Sequence, residues 1–389
     1  MTEQERPIAL KILSGSLYRK APKYMQAVKE QFETRHPDVQ VIIDYVSDHY
    51  EMFKRIQERE ADIVFVMEVD VSPLLSRGDV IDLMPFLERD PALSPDDFYQ
   101  GVLRGNMDGE RLAGLPAVNL LTPQIYYNKQ RFDEAGLPHP TGAWTFGQFA
   151  EAAHKLTERD ENGTIKRFGL FMGIDIENWE PYVMRNGGAY SAEDGSTIRG
   201  YADSEATVEA ISMVASLYRD RVASLPFEVQ FNYKTLFSAG FAMIHELSYR
   251  THQVLEAPDE WGVVGLPHMP GGADTNMMYF ASYGITSWSP HQELAWEFIR
   301  EVANPTDPEL LDLFPDLPST KKLAARLGML DNPLYEPYLH DLERTSKSAF
   351  YNNQKWNASR HLINEDLRAM AEGKAQVRER LEHWADTIV

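Results

Sequence analysis

The chain has 389 residues, of which 43% are hydrophobic and 25% are charged, so it is long enough to bury the cores of two or three domains. We expect two. Asp and Glu outnumber Lys and Arg by 59 to 38, which gives a formal net charge of −21. This acidity argues against nucleic acid as a partner, because phosphate binding depends on clustered cationic side chains.

The chain contains no cysteine, which excludes disulfides, thiolate metal sites and a cysteine nucleophile. The first residues, MTEQERPIALKIL, lack the basic and apolar regions of an export signal, and the chain has no apolar run of roughly 18 residues that could span a bilayer. We therefore expect either a cytosolic protein or a mature chain from which an export signal has been removed.

Strand and helix patterns alternate in the N-terminal third. Three runs rich in β-branched residues predict strands at residues 8–13, 39–45 and 61–66. Between the first two runs, Tyr24, Val28 and Phe32 recur at helical spacing, and Pro37 ends that helix. Another helix is expected around residues 50–59. The order strand, helix, strand implies parallel pairing through a right-handed crossover, so this region is predicted to be α/β.

The rest of the chain carries clear helix signals. Thr145 and Gln148 form a capping-box pattern that predicts a helix starting near Phe146. Ser204 introduces a second amphipathic helix. Helical apolar spacing recurs at residues 294–302, and the segment from Ser348 onward is predicted to be mostly helical.

Several enzymatic motifs can be tested against the sequence. His245 begins the stretch HELSYRTH, but a zinc-protease helix needs its second histidine four residues later, where Tyr249 stands. The chain has no Gly-x-x-x-x-Gly-Lys-Ser/Thr phosphate loop and no Gly-x-Ser-x-Gly nucleophile elbow. Acidic residues are too numerous for a glycosidase pair to be chosen without geometry. We expect no catalytic residue, no metal and no cofactor.

A family resemblance rests on a series of short motifs in a fixed order. The first is IYYNK at residues 125–129, followed by FDEAGL at 132–137 and Trp144. The others are NGG at 186–188, GFAM at 240–243, WGVVGLP at 261–267, PGG at 270–272, AWEF at 295–298 and LPSTK at 317–321. In this order they make the chain resemble the extracellular solute-binding proteins of bacterial ABC importers, the carbohydrate-binding family that includes maltose-binding protein.

The resemblance implies a two-lobed periplasmic-binding-protein fold of class II. Each α/β lobe would hold a mixed sheet flanked by helices, with the ligand in a cleft between the lobes. The N-terminal lobe would comprise residues 1–118 and 284–320, and the C-terminal lobe residues 122–278 and 321–389. Hinge crossings are expected at residues 115–122, 279–285 and 317–321.

The predicted ligand contacts come from the strand ends and from the family match. Ligands of open α/β sheets bind at the carboxyl ends of strands, which predicts Ser16, Tyr18, Glu68 and Asp70. The family match adds the following residues of the C-terminal lobe and one of the first crossing: Asn119, Trp179, Glu180, Tyr182, Tyr249, Arg250, Tyr351 and Trp356.

Several of these residues also have a purely structural interpretation. The aromatic side chains of Trp179, Tyr182, Tyr249 and Trp356 could equally be core residues. Glu180, which precedes a proline, could cap a helix. The remaining alternatives are a helix cap for Asp70 and a solvated surface position for Arg250.

These residue types suit a saccharide, since aromatic rings pack on the apolar face of a sugar and carboxylates or amides bind its hydroxyls. The resemblance therefore implies a monomeric, non-enzymatic receptor that closes on a neutral mono- or oligosaccharide and delivers it to a membrane permease. It would act outside the cytoplasm, in the periplasm or as a lipid-anchored protein. Two alternatives remain: the same fold binding a polyamine, a glycerophosphodiester or a peptide, and an enzyme acting on glycosides.

Overall fold

A computed structural model describes residues 7–15, 21–226, 228–230, 235–315, 317–349 and 353–388. The strands are β1 (Ile8–Ser14), β2 (Val39–Tyr45), β3 (Ile63–Met67), β4 (Met107–Asp108), β5 (Arg111–Leu112), β6 (Leu115–Leu121), β7 (Pro123–Asn128), β8 (Glu158–Arg159), β9 (Ile165–Arg167), β10 (Leu170–Phe171), β11 (Met243–Leu247), β12 (Trp261–Val264) and β13 (Tyr279–Ile285).

The helices are α1 (Ala21–Arg35), α2 (His49–Gln57), α3 (Val71–Arg77), α4 (Met84–Arg89), α5 (Gln100–Gly105), α6 (Lys129–Glu134), α7 (Phe146–Leu156), α8 (Ile176–Arg185), α9 (Glu205–Arg219), α10 (Thr251–Glu256), α11 (Gln292–Ala303), α12 (Pro308–Leu313), α13 (Lys321–Arg326), α14 (Glu336–Arg344), α15 (Gln354–Ala358), α16 (Arg360–Ala371) and α17 (Val377–Thr387). Within the described ranges, no helix combines the length and the hydrophobicity that a membrane crossing requires.

The chain forms two compact units, each made of two sequence segments. Unit 1 comprises the described residues of Met1–Leu121 and Tyr279–Pro333, and unit 2 those of Thr122–Met278 and Leu334–Val389. The chain thus passes between the units after Leu121, Met278 and Pro333. Hinge crossings were expected at residues 115–122, 279–285 and 317–321. The first two boundaries lie within or next to the expected ranges, whereas the third follows Pro333, later in the chain than residues 317–321.

Residues 321–333 belong to unit 1 because α13 is fixed there. Thr320 accepts a hydrogen bond from the backbone N–H of Leu323 at 3.1 Å, which caps α13, and it forms a β-bridge with Phe98. Lys322 pairs with Asp97 at 2.9 Å. The expectation that the C-terminal lobe begins at residue 321 is therefore wrong.

Unit 1 is built on a five-stranded sheet with the order β2-β1-β3-β13-β6. Strands β1, β2 and β3 are parallel, with Ile12 of β1 opposite both Ile43 and Ile63. The intervening helices α1 and α2 confirm the predicted crossovers. Strand β13 is antiparallel to both β3 and β6, so β6 runs in the same direction as β1, β2 and β3.

Unit 2 has a four-stranded sheet with the order β10-β11-β7-β12. Strands β10 and β11 are parallel, and β7 is antiparallel to β11 and β12. Side chains alternate across the sheet, so Met243 packs into the larger core cluster of this unit and Ile244 into a smaller one on the other face.

The predicted helix starts are confirmed at α7 and α9. Thr145 accepts from the N–H of Gln148, and the Gln148 side chain accepts from the N–H of Thr145, which completes the capping box. Ser204 caps α9. Helix α8 begins after Asp175, whose carboxylate accepts two backbone N–H bonds, and it gives way to Gly187, which adopts a φ of 76°.

Glu180 lies in the interior of α8, with 2% of its surface exposed. Its carboxylate accepts the hydroxyl of Ser348 at 2.5 Å and the backbone N–H of Ala349 at 2.8 Å. Burial raises the pKa of Glu180 from 4.5 to about 7, although both hydrogen bonds favour the ionised form. Since α8 starts at Ile176, Glu180 does not cap a helix but ties the segment at 348–349 to the interior of unit 2.

This burial makes stability depend on pH. Folded Glu180 holds its proton more tightly than the unfolded chain does, so the free energy of unfolding falls as pH rises from 4.5 through about 7. At about 1.4 kcal/mol per pKa unit the loss reaches about 3 kcal/mol. We expect Glu180→Gln to remove this loss, because its amide can accept from Ala349 and donate to Ser348. Urea unfolding at about pH 5 and about pH 8 measures the difference.

A matched control is Glu365→Gln, since Glu365 is an exposed glutamate of the same unit. This variant should keep the pH dependence of the wild type. A Glu180→Gln protein that loses stability with pH as steeply as the wild type would contradict the role assigned to this carboxyl.

Candidate functional site

One edge of the unit 1 sheet gathers the carboxyl ends of β1, β2, β3 and β6, because these strands share a direction. Open α/β sheets bind ligands at such an edge. At this edge lie Ser14 at the end of β1, Tyr45 at the end of β2 and Met67 at the end of β3. Leu121, where the chain leaves unit 1, and Tyr279, where it returns, lie at the same edge.

Glu68 follows β3 directly and is 8% exposed. The backbone N–H groups of Glu68 and Phe280 donate to its carboxylate, which favours ionisation. Burial outweighs them and raises the pKa of Glu68 to about 8. At neutral pH the side chain therefore holds a proton and can both donate and accept a hydrogen bond.

Asp70 lies next to Glu68 at the end of the 3-10 helix Glu68–Asp70 and is also buried. One carboxylate oxygen is 2.8 Å from Nε2 of His49, and the other accepts the backbone N–H of Met67 at 3.1 Å. Asp70 is the N-cap residue of α3, as the structural interpretation expected, but its side chain makes no hydrogen bond to that helix. Its carboxylate bonds instead to Met67, the N-cap of the preceding 3-10 helix. Its hydrogen bond raises the pKa of His49.

Three residues near this edge were not predicted from the sequence. His49 and Tyr50 begin α2 directly after β2, and Tyr45 is the last residue of β2. Tyr45 and Tyr50 are large exposed rings, 48% and 79% accessible. Their position after the second predicted strand could have indicated them. Contacts were predicted only after the first and third strands.

The corresponding edge of unit 2 gathers the carboxyl ends of β10, β11 and β12 and the start of β7. The 3-10 helix Ser248–Arg250 follows β11 and brings Tyr249 and Arg250 together. The hydroxyl of Tyr249 donates to Glu246 at 2.8 Å, and the guanidinium of Arg250 lies 4.8 Å from the centre of the Tyr249 ring. Arg250 is 5% exposed, so it is not the solvated surface arginine of the alternative interpretation.

The loop after β10 supplies charged residues that sequence analysis also missed. Asp175 caps α8, and Glu177 in its first turn forms an ion pair with Arg360. The predicted contacts Glu180 and Tyr182 lie further along the same helix. The strand-end rule favours Asp175 and Glu177 as contacts, because they lie in the segment that follows the carboxyl end of β10.

Three of the predicted stacking aromatics are core residues instead. Trp179, Tyr182 and Trp356 are each 0% exposed. Trp179 stacks on Tyr218, and Trp356 packs against a neighbouring tyrosine and tryptophan in the same cluster. Such rings offer a ligand no surface, so the structure does not support a stacking role for them. Glu180 likewise bonds to the interior of its own unit.

Several predicted contacts cannot be placed. Ser16, Tyr18 and Tyr351 lie outside the described residues, and for Asn119 only the backbone, within β6, is described. The structure thus brings together Glu68 with Asp70 in unit 1, and Tyr249 with Arg250 in unit 2.

The histidine of the HELSYRTH stretch is unsuited to metal binding in this fold. His245 is 1% exposed, and burial lowers its pKa to about 3, so the ring is neutral. Across the described ranges, no three His, Asp or Glu side chains are arranged to hold a metal ion. The two strand edges instead present hydroxyl, carboxyl and aromatic groups, which are the groups that bind a hydroxylated ligand.

Solved structures of known proteins share the fold of this chain. The chain is similar in structure to the sugar-binding protein MalE of the phytopathogen Xanthomonas citri, with a TM-score of 0.83 at 15% identity over 98% of this chain and 97% of that chain. It is also similar to a cyclic α-maltosyl-1,6-maltose binding protein of Arthrobacter globiformis, with a TM-score of 0.79 at 16% identity over 98% of this chain and 99% of that chain.

A third similar structure is an ABC substrate-binding protein of Listeria monocytogenes in complex with cycloalternan, with a TM-score of 0.76 at 19% identity over 98% of both chains. At these identities the likeness establishes the two-lobed fold. The sequence profile of bacterial extracellular solute-binding proteins matches residues 15–307, most of the chain. The chain therefore belongs to the bacterial extracellular solute-binding protein family, whose members act outside the cytoplasm.

Proposed function

We propose that this chain is the substrate-binding component of an ABC importer, which captures a neutral mono- or oligosaccharide and passes it unchanged to a membrane permease. Family membership supports the receptor role. The solved relatives named above are described as binding maltose-type or other sugars, which favours a saccharide over a polyamine, a glycerophosphodiester or a peptide. The receptor acts as a monomer, in the periplasm or on a lipid anchor.

The observation that carries the proposal is membership of the solute-binding family, which the profile match over residues 15–307 shows. A neutral ligand also suits Glu68, which is buried directly after β3; burial raises the pKa of this carboxyl to about 8, which favours its uncharged form at neutral pH. It can donate to one sugar hydroxyl and accept from another. A site with such groups rejects analogues that lack a hydroxyl, because its own polar atoms would remain unpaired.

In unit 2, the proposed contacts are Tyr249 and Arg250. The Tyr249 ring is partly exposed and is held by its hydroxyl bond to Glu246 and by the guanidinium of Arg250, which lies over one face of the ring. A fixed ring binds the apolar face of a pyranose at a small entropic cost. Asp70, Ser16, Tyr18 and Asn119 in unit 1 and Tyr351 in unit 2 remain proposed contacts.

Capture follows from contacts made by both units. A saccharide that binds better when both strand edges contact it shifts the population toward the closed arrangement, and the three crossings take up the rotation. The permease then recognises the closed form. No step breaks a bond in the ligand, so this proposal excludes a glycoside-acting enzyme.

We expect calorimetric titration against a panel of mono- and oligosaccharides to give one ligand class with a dissociation constant on the order of micromolar, which corresponds to about 8 kcal/mol. The bound sugar should be recovered intact, one per chain, by mass spectrometry after long incubation. A cleaved product would support the enzyme alternative. Binding of spermidine or glycerophosphocholine, with no response to any sugar, would support the non-sugar alternative.

Substitution of Tyr249 tests the unit 2 contact. Tyr249→Ala should weaken saccharide binding by about 1 kcal/mol or more, because it removes the stacking ring. Tyr249→Phe keeps the ring but loses the hydroxyl bond to Glu246, so it should weaken binding less than Tyr249→Ala does. Tyr201→Ala, which removes an exposed tyrosine elsewhere in unit 2, is the matched control and should bind normally. Equal affinity of Tyr249→Ala and the control would remove Tyr249 from the site.

A further inference from the structure

The three points at which the chain enters or leaves unit 2 are linked by one buried carboxylate. These points are Thr122, Met278 and Leu334. The carboxylate belongs to Asp341, which lies in α14, the first helix after the third crossing, and is 3% exposed.

Asp341 binds the other two crossing segments directly. Its Oδ2 accepts the side-chain amide of Gln124 at 2.6 Å and that of Asn276 at 2.7 Å. Gln124 lies just after the first crossing, and Asn276 just before the second. All three side chains are buried, and a buried amide donor left without an acceptor costs free energy, so this junction specifies one arrangement of the segments.

Asn276 extends the junction to the backbone of both neighbouring segments. Its amide nitrogen also donates to the carbonyl of Pro123 at 3.0 Å, and its amide oxygen accepts the N–H of Met277 at 2.8 Å. Its own carbonyl accepts the N–H of Ser346, just beyond α14, at 3.1 Å. One side chain therefore holds parts of all three segments in register.

A second set of bonds joins α14 to the same sheet. The hydroxyl of Tyr338, one turn before Asp341, is 2.8 Å from the hydroxyl of Thr251 and 3.1 Å from that of Tyr126 in β7. Tyr338 and Asp341 thus lie on one face of the helix and bind the start of β7 together.

The junction is also connected to the proposed ligand contacts. The backbone N–H of Ser248 donates to the carbonyl of Thr122 at 2.9 Å, and the Ser248 hydroxyl accepts the N–H of Thr122 at 3.3 Å. Ser248 begins the 3-10 helix that carries Tyr249 and Arg250. Ser248 therefore joins these two residues, its neighbours in the chain, to a hydrogen-bonded path. The path runs through Thr122, whose hydroxyl accepts the side-chain amide of Gln124 at 3.3 Å, and then from Gln124 to Asp341.

We propose that Asp341 is a positioning residue for ligand capture. It holds the unit 2 ends of the three crossings and the segment at 248–250 together as a single body. A ligand that contacts this edge therefore changes the conformation of the crossings. This inference rests on the proposed function. Asp341 needs no contact with the ligand for this role. Substitution of Asp341 should therefore change the affinity for the ligand by altering the crossing segments, and not by removing a contact with the ligand.

The test compares Asp341→Leu, Asp341→Asn and a matched control. Asp366→Leu removes another buried carboxylate of unit 2, which accepts the indole N–H of Trp384 at 2.8 Å away from the crossings. We expect Asp341→Leu to weaken saccharide binding about tenfold. Asp341→Asn, whose amide oxygen can still accept from Gln124 and Asn276, should bind nearly as the wild type does. Asp366→Leu should lower stability and leave affinity unchanged.

Hydrogen exchange of the ligand-free protein gives a readout that does not depend on any sugar. Asp341→Leu should speed exchange at the amides of Met277 and Ser346, whereas Asp366→Leu should not. Unchanged exchange at these amides, or a loss of affinity no larger than that of Asp366→Leu, would overturn the inference. If Asp341→Leu does not fold, Gln124→Leu removes one donor and provides the same two readouts. Absence of binding by the wild type to every sugar refutes the proposed function, while the exchange result still decides the role of Asp341.

Discussion

The direction of the strands determines where this protein can bind a ligand. Because β1, β2, β3 and β6 run together, the segments after them meet at one edge of unit 1, which includes Glu68, Asp70 and Tyr45. In unit 2 the same rule collects Asp175 and Tyr249. The first two crossings leave and enter unit 1 at its edge, at Leu121 and Tyr279, and the first enters unit 2 at the start of β7. Within each unit, the proposed ligand contacts therefore lie close along the chain to the crossings. These are the segments that must bend when one unit moves relative to the other.

Burial gives two glutamates different roles. Glu68 and Glu180 both have a raised pKa because each is removed from water. Glu68 lies at a strand end, where an uncharged carboxyl suits a hydroxylated ligand. Glu180 faces the interior of unit 2 and binds Ser348 and Ala349, so its contribution is to the position of that segment. Local fold, rather than residue type, separates the proposed ligand contact Glu68 from the structural support Glu180.

The sequence predicts much of the fold because its signals there are local. Apolar periodicity identifies β1, α1 and β2, and the Thr145–Gln148 capping box places the start of α7. The predictions failed where the answer depends on tertiary contacts. An aromatic residue beside a charged one suits a ligand platform or a core equally, so Trp179 could not be assigned before its neighbours were known. The third crossing was misplaced because the Lys322–Asp97 pair joins residues far apart in the chain.

Hydrogen–deuterium exchange with and without a bound saccharide tests most directly whether both strand edges take part in capture. We predict slower exchange in the bound state at residues 67–70 of unit 1 and at residues 248–250 of unit 2, since ligand contact and closure both remove these backbone amides from solvent. Slower exchange in only one unit, or on a surface away from both edges, would contradict capture of one ligand by the two units together.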